Sequence, residues 1–144
     1  MTDVAVRLEL EALNRIGELE RLNAAVDRFL DNMKVDAEIR YAVLFAVEEL
    51  FTNVVKYAFD DQDPHRVGIQ LLRAGPELAL TMEDGGKPFD PTSAPVPDTT
   101  LALSERPVGG LGLFLLRQMS SRMEYWRIAG SNRIKVHFTL PDTA

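Results

Sequence analysis

Five prolines fall at positions 88, 91, 95, 97 and 107 of this chain, interleaved with Thr, Ser and Asp. Proline fixes φ and removes a backbone donor, so neither helix nor central strand can run through such a stretch. It reads as one long connecting loop. Loops of this length inside a domain are uncommon and are mostly functional or disordered. Any fold must therefore complete one block of elements before residue 88 and a second, shorter block after residue 107.

In the first block, Val4, Val6, Leu8 and Leu10 alternate with Ala5, Arg7 and Glu9 over residues 4–10, the period of a half-buried strand. From Glu11 to Leu30, apolar residues at Leu13, Ile16, Leu19, Leu22, Val26 and Phe29 predict an amphipathic helix. Asp36 is placed to N-cap a second helix running to about Phe59, where Asp60-Asp-Gln-Asp-Pro64 stops it. Val67–Leu71 and Leu78–Met82 read as strands joined through Ala74-Gly75-Pro76. In the second block, Leu111–Met119 predicts a short helix, and Met123–Ile128 with Arg133–Leu140 a hairpin around Gly130-Ser-Asn132. The order β-α-α-β-β-α-β-β implies an α+β two-layer sandwich, with a mixed, mostly antiparallel sheet and the helices on one face. No repeat or second domain interrupts residues 1–144.

Composition narrows the function classes. The chain of 144 residues is long enough to bury roughly two-thirds of its unfolded surface. It has no cysteine, which excludes disulfides and thiolate metal sites and suits a reducing, cytoplasmic setting. Residues 1–7 lack the basic start and apolar core of a signal peptide, and no apolar run approaches the ~20 residues of a membrane span. A net charge of −6 argues against general nucleic-acid binding. It leaves room for a polyphosphate held locally by backbone N–H groups and a metal.

Three segments carry chemistry. On the second helix, Glu49, Asn53 and Lys56 stand at i, i+4 and i+7, within about 60° of arc. A carboxylate, an amide and an ammonium on a stripe that is apolar upstream need partners. By spacing alone, a solvated face with an ion pair explains them as well as a site does. As a site, Asn53 offers an oxygen to Mg²⁺, Glu49 a general base and Lys56 positive charge toward phosphates; Glu48 points elsewhere. Asp84 follows a strand and precedes Gly85-Gly86. It is either part of a plain turn or an acceptor for an exocyclic amine, with Gly86 clearing the way for a base. Gly109-Gly110-Leu111-Gly112 opens a helix, where free N–H groups and the helix dipole favour an anion. No Gly-Lys-Ser/Thr follows and no βαβ unit surrounds it, so it is neither a P-loop nor a dinucleotide fingerprint.

In this order the segments resemble the GHKL ATP-binding superfamily, with its Bergerat fold. Val47-Glu-Glu49-Leu-Phe-Thr-Asn53-Val-Val-Lys56-Tyr-Ala58 resembles the N box, Glu83-Asp84-Gly85-Gly86-Lys-Pro88-Phe89-Asp90 the first glycine box, and Arg106-Pro-Val-Gly109-Gly110-Leu-Gly112-Leu113 the second. Within it, the chain is most similar to small bacterial anti-sigma factors of the RsbW type that are also serine kinases. The resemblance implies Glu49 as catalytic base, Asn53 as magnesium ligand, and Asp84 and Gly86 at the adenine. It implies Gly109, Gly110, Leu111, Gly112 and Leu113 as backbone contacts to phosphates, a lid over residues 90–106, and Arg106 reaching a phosphate. Where many members carry a histidine late in the N box, this chain has Tyr57; His65 and His137 match no motif and read as structural or exposed. The cofactors implied are ATP and Mg²⁺. The partners implied are a STAS-type anti-anti-sigma factor and a sigma factor, with homodimerisation. Two other readings stay open: a non-catalytic ATP/ADP-binding regulatory module, and the detached ATP-binding half of a histidine kinase.

Overall fold

The computed structural model describes residues 5–93 and 110–141. The chain runs β1 (Val6–Leu13), a 3₁₀ turn (Ile16–Glu18), α1 (Leu19–Met33), α2 (Ala37–Asn53), a π turn (Val54–Ala58), β2 (Arg66–Ala74) and β3 (Glu77–Asp84). Beyond these come a short 3₁₀ turn (Pro91–Ser93), α3 (Gly110–Met119), β4 (Arg122–Ile128) and β5 (Ser131–Thr139). The element order is the expected one. The five strands form one sheet in the order β1-β2-β3-β5-β4, and every ladder is antiparallel. The sheet is thus antiparallel rather than mixed.

Local chemistry sets the boundaries. Asp36 caps α2 by accepting from the Ile39 N–H at 2.8 Å, a contact worth about 1 kcal/mol. The expected break between the first strand and first helix falls three residues too early at the strand and eight at the helix. Ala12 pairs with Val67 and Leu13 with Arg66, so residues 11–13 extend the strand. Glu18 then accepts from the Leu13 N–H at 3.1 Å, and Asn14 and His65 exchange two bonds of 2.9 Å. Helical geometry begins only after that junction. Ile16, one of the residues of the expected apolar stripe, is accordingly exposed, while Leu22, Val26 and Leu30 are fully buried.

All three helices pack on one face. Leu22, Val26 and Leu30 of α1, Val43, Val47, Leu50 and Phe51 of α2, and Leu113 and Leu116 of α3 meet a floor of strand residues. Val67, Ile69 and Leu71, Leu78, Leu80 and Met82, and Ile134, Val136 and Phe138 make that floor. Each such side chain stabilises the fold by ~1.5–3 kcal/mol. The opposite face carries Glu9, Gln70, Thr81 and Lys135. Alternation along β2, β3 and β5 separates the two faces cleanly. Among the described residues, no helix is long and apolar enough to cross a membrane.

Candidate functional site

The register brings the first pair of polar groups together. Asp84 closes β3 and lies directly opposite Asn132 of β5 on the helix-covered face. Both are buried, at 4% and 2% exposure. A buried carboxylate and amide are costly unless bonded, and these are. Asp84 Oδ1 accepts from the Gly86 N–H at 2.9 Å and from Asn132 Nδ2 at 3.2 Å.

Past β3 the chain turns back against the end of α2. The Lys87 N–H donates to the Ala58 carbonyl at 2.8 Å, and Arg127 Nη1 donates to the Gly86 carbonyl at 2.7 Å. A Cβ at Gly86 would lie 2.5 Å from both the Cβ and the carbonyl oxygen of Ala58, so only glycine permits this approach. Between the turned-back segment, α2 and the strand ends lies a cavity of about 270 Å³. Leu50, Val54, Tyr57, Ala58, Pro88, Phe89 and Ile134 give it apolar walls, and Asn53, Asp84, Lys87 and Asn132 are its polar members. An apolar slot with few polar groups is the usual make-up of a small-ligand site. This one suits a flat heterocycle that presents a donor to Asp84.

The second half begins at Asn53, which lines the cavity and donates through Nδ2 to Glu49 Oε1 at 3.3 Å. That bond uses the nitrogen of the amide, leaving the oxygen as the atom it can turn toward a cation. Burial pushes the Glu49 carboxyl above its ordinary range, and the Glu48 charge adds to this, while the Asn53 bond and the Lys56 charge oppose it. On its other side Glu49 meets α3, where a Cβ on Gly112 would collide with the Glu49 carboxylate. Asp84, Asn53, Glu49 and Gly112 thus form a continuous line from the strand ends to the start of α3.

Among the described residues, no cluster of three His, Cys, Asp or Glu side chains is arranged to hold a metal. A magnesium ion held by one amide oxygen, with phosphates and water completing its shell, asks for no such cluster. The donor set fits that form of binding.

Most of the anticipated residues therefore converge. Glu49, Asn53, Asp84, Gly86, Gly110 and Gly112 lie along this line or open its bordering helix; Leu111 is exposed beside it, and Leu113 is buried in the core and has only its backbone to offer. Lys56 stands apart from the cavity. The helix passes from α to π geometry at Val54, an i→i+5 turn that rotates the residues beyond it. Lys56 is exposed and off the cavity wall, which Tyr57 lines, while its charge still acts on Glu49. Arg106, Gly109 and residues 94–106 of the anticipated lid lie outside the described residues.

Sequence reasoning missed Asn132, Phe89 and Ile134. In the sequence Asn132 reads as hairpin-turn chemistry, and only the β3–β5 register reveals its partner. A larger concavity, about 660 Å³ on the open sheet face around Gln70, Thr81, Trp126 and Lys135, contains none of the candidate site residues, and of the motif segments only Glu83 reaches it. His65 stacks on Phe59 at 3.7 Å, and His137 is buried with Nε2 2.5 Å from Glu124, both outside the site.

Comparisons with known proteins agree with this geometry. The model of a family described as the histidine kinase-like ATPase domain matches residues 12–138. The serine/threonine-protein kinase BtrW of Bordetella bronchiseptica is 30% identical over 98 residues, 68% of this chain and 69% of that protein. The crystal structure of the RsbU and RsbW domains of Rv1364c from Mycobacterium tuberculosis has the same fold, with a TM-score of 0.64 at 18% identity. It covers 96% of this chain, which spans 34% of that longer one. With motif order, antiparallel sheet and cavity in agreement, the chain belongs to the histidine kinase-like ATPase domain family.

Proposed function

We propose that this protein is an ATP-dependent serine/threonine protein kinase that acts as an anti-sigma factor in a partner-switching module. Its substrate is a STAS-type anti-anti-sigma factor, its second partner a sigma factor, and its form a cytoplasmic homodimer. Residues 1–144 work as one ATP-binding domain with a lid over residues 90–106. The observation that carries the reading is the placement of Glu49, partly desolvated, between Asn53 and Gly112. The kinase named among the relatives supports the same chemistry.

In this reading Asp84 receives the exocyclic amine of adenine, Gly86 lets the base approach, and Tyr57 and Phe89 flank it. Asn53 holds Mg²⁺ through its amide oxygen, and the N–H groups of Gly110, Leu111, Gly112 and Leu113 face the phosphates, with Gly109 and Arg106 completing the cradle. Lys56 contributes only long-range positive charge. Bound Mg-ATP supplies the γ-phosphoryl group and the charge that neutralises it. Glu49 takes the proton of the partner's hydroxyl as that oxygen bonds to the γ-phosphorus and ADP departs. A desolvated carboxylate with raised proton affinity is a better base for this step than an exposed one.

The test is transfer of labelled phosphate from Mg-ATP to STAS proteins of the same genome. Glu49→Ala is expected to keep Mg-ATP affinity within a few-fold and to lose transfer by about 10²–10⁴-fold, whereas Asn53→Ala weakens magnesium-dependent binding. Near wild-type transfer by Glu49→Ala would remove the base assignment. Tight ATP binding with no labelling of any partner would leave a nucleotide-dependent regulatory module instead.

A further inference from the structure

Asn132 is saturated. An amide has two N–H donors and two acceptor lone pairs, and all four are in use. Nδ2 donates to Asp84 Oδ1 at 3.2 Å and to the Lys87 carbonyl at 2.7 Å. Oδ1 accepts from the Tyr125 hydroxyl at 2.6 Å and from the Phe89 N–H at 3.3 Å. The two incoming bonds fix the orientation of the amide. Rotated by 180°, its oxygen would face the Asp84 carboxylate and the Lys87 carbonyl, both acceptors. Asn132 therefore lines the cavity without a hydrogen bond to spare for a ligand, and it acts through the groups it holds.

Two groups are held. Asp84 Oδ1 is occupied by Asn132 and by the Gly86 N–H, so Oδ2 is the oxygen the carboxylate can present to the cavity. The Lys87–Phe89 segment is tied at both ends to the same amide, which sets the wall opposite α2. An ionised carboxylate accepts and never donates. Fixed in this way, it attracts an amine and repels a carbonyl oxygen at the same position of a purine.

We propose that Asn132 is a positioning residue for base selection, locking Asp84 as a one-oxygen acceptor so that the pocket takes 6-aminopurine nucleotides and rejects 6-oxopurines. This rests on the nucleotide-binding reading above and adds to it a residue outside the three motifs. One hydrogen bond to a charged acceptor corresponds to about 10–100-fold between the two bases.

The experiment is calorimetry of the full chain with Mg-ATP and Mg-ITP, whose bases differ by amine against carbonyl at this position. Wild type is expected to prefer ATP by about 10–100-fold. Asn132→Asp places a second carboxylate against Asp84, and two carboxylates sharing a site cannot both ionise cheaply. At pH 7.5 its ATP affinity falls at least about tenfold and recovers toward pH 5.5, as one shared proton restores a donor. The surrounding ionisable groups are Tyr125, Arg127, bonded to the Gly86 carbonyl, and Lys87, whose ammonium pairs with Asp60. A purely structural role lowers ATP and ITP affinity together and leaves the ratio between them unchanged. Tyr125→Phe keeps the ring, removes the shorter of the two bonds that orient the amide and narrows the ATP-to-ITP ratio by about 3–5-fold; if Asn132→Asp fails to fold, this variant decides. An unchanged ratio in Tyr125→Phe, or ATP binding by folded Asn132→Asp equal to wild type at pH 7.5, overturns the proposal. Equal affinity of wild type for ATP and ITP overturns it while leaving nucleotide binding intact. Binding of neither removes the underlying reading as well.

Discussion

The two ends of the site are built on opposite terms. At the end proposed to hold the base, Asp84 and Asn132 stand on paired strands, almost wholly buried, and their bonds tie β3, β4, β5 and the segment after β3 together. At the end proposed to face the phosphates, Glu49 and Asn53 share one long bond of 3.3 Å on a helix that changes pitch immediately afterwards. A satisfied buried network is rigid and reads shape. A carboxylate that is desolvated and poorly compensated keeps a high proton affinity, which is what a base requires and a specificity contact does not. Under the proposed function, recognition and turnover therefore rest on different kinds of support, and substitutions ought to separate them.

Short of removing Glu49 itself, the largest separation is expected at Gly112. The nearest atoms a methyl group there would meet are those of the Glu49 carboxylate, the far end of a side chain that can swing aside, so Gly112→Ala is expected to fold normally. The displaced carboxylate loses its position, and phosphate transfer falls by about 10²-fold, consistent with general-base losses. ATP affinity changes far less. Equal losses of affinity and rate would merge the two ends into one unit and break the comparison. Gly86→Ala probes the other end. Its Cβ would press on the Ala58 backbone, which cannot swing away, so overpacking costs about 2 kcal/mol in thermal or chemical unfolding. ATP affinity falls with it, because the base-facing segment is displaced from α2.

Legibility in the sequence divides along the same line. Glu49, Asn53, Gly86 and Gly112 are readable because local spacing on a helix, or a glycine at an element boundary, carries the signal. The antiparallel two-layer fold is readable from alternation and hairpin turns. Asn132 is not, since its meaning lies in a pairing 48 residues distant in sequence. Nor is the place of Lys56 off the cavity wall, because the stripe assumes α geometry through Ala58, and no propensity rule marks the change to π. The β1–α1 boundary fails for a related reason: Leu13 and Ile16 satisfy a helical period by coincidence, while long-range pairing with β2 claims the first of them.

Glu49 also leaves a mark on stability. Burial holds its carboxyl above the ordinary 4.5 in the folded state. Between that value and the raised one, the native protein keeps a proton that the unfolded chain has released, so stability falls as pH rises through the window. Above it, the charged form persists at a cost. Glu49→Gln removes the cost, and its Tm is expected to exceed wild type by a few degrees at pH 7.5 and to converge with it below about pH 4.5. A Tm difference independent of pH would assign the effect to packing and weaken the account of Glu49 as a strained base.

The smallest effect is expected in the hairpin that carries Asn132. Ala129 and Gly130 both have positive φ, at 50° and 81°, the pair of left-handed residues that a tight hairpin with right-handed strand twist demands. Glycine meets that demand freely, whereas alanine is strained by the contact of its Cβ with the following carbonyl. Ala129→Asn supplies a side chain that tolerates this conformation and does not add the backbone freedom that glycine would bring to the unfolded chain. Stability should rise by about 0.5–1 kcal/mol, read from the midpoint of chemical denaturation, with transfer and ATP affinity unchanged. The substitution is remote from Glu49, so a change in rate without a change in affinity would mean that the base end and the phosphate end communicate through the sheet, against the separation argued from their hydrogen bonds.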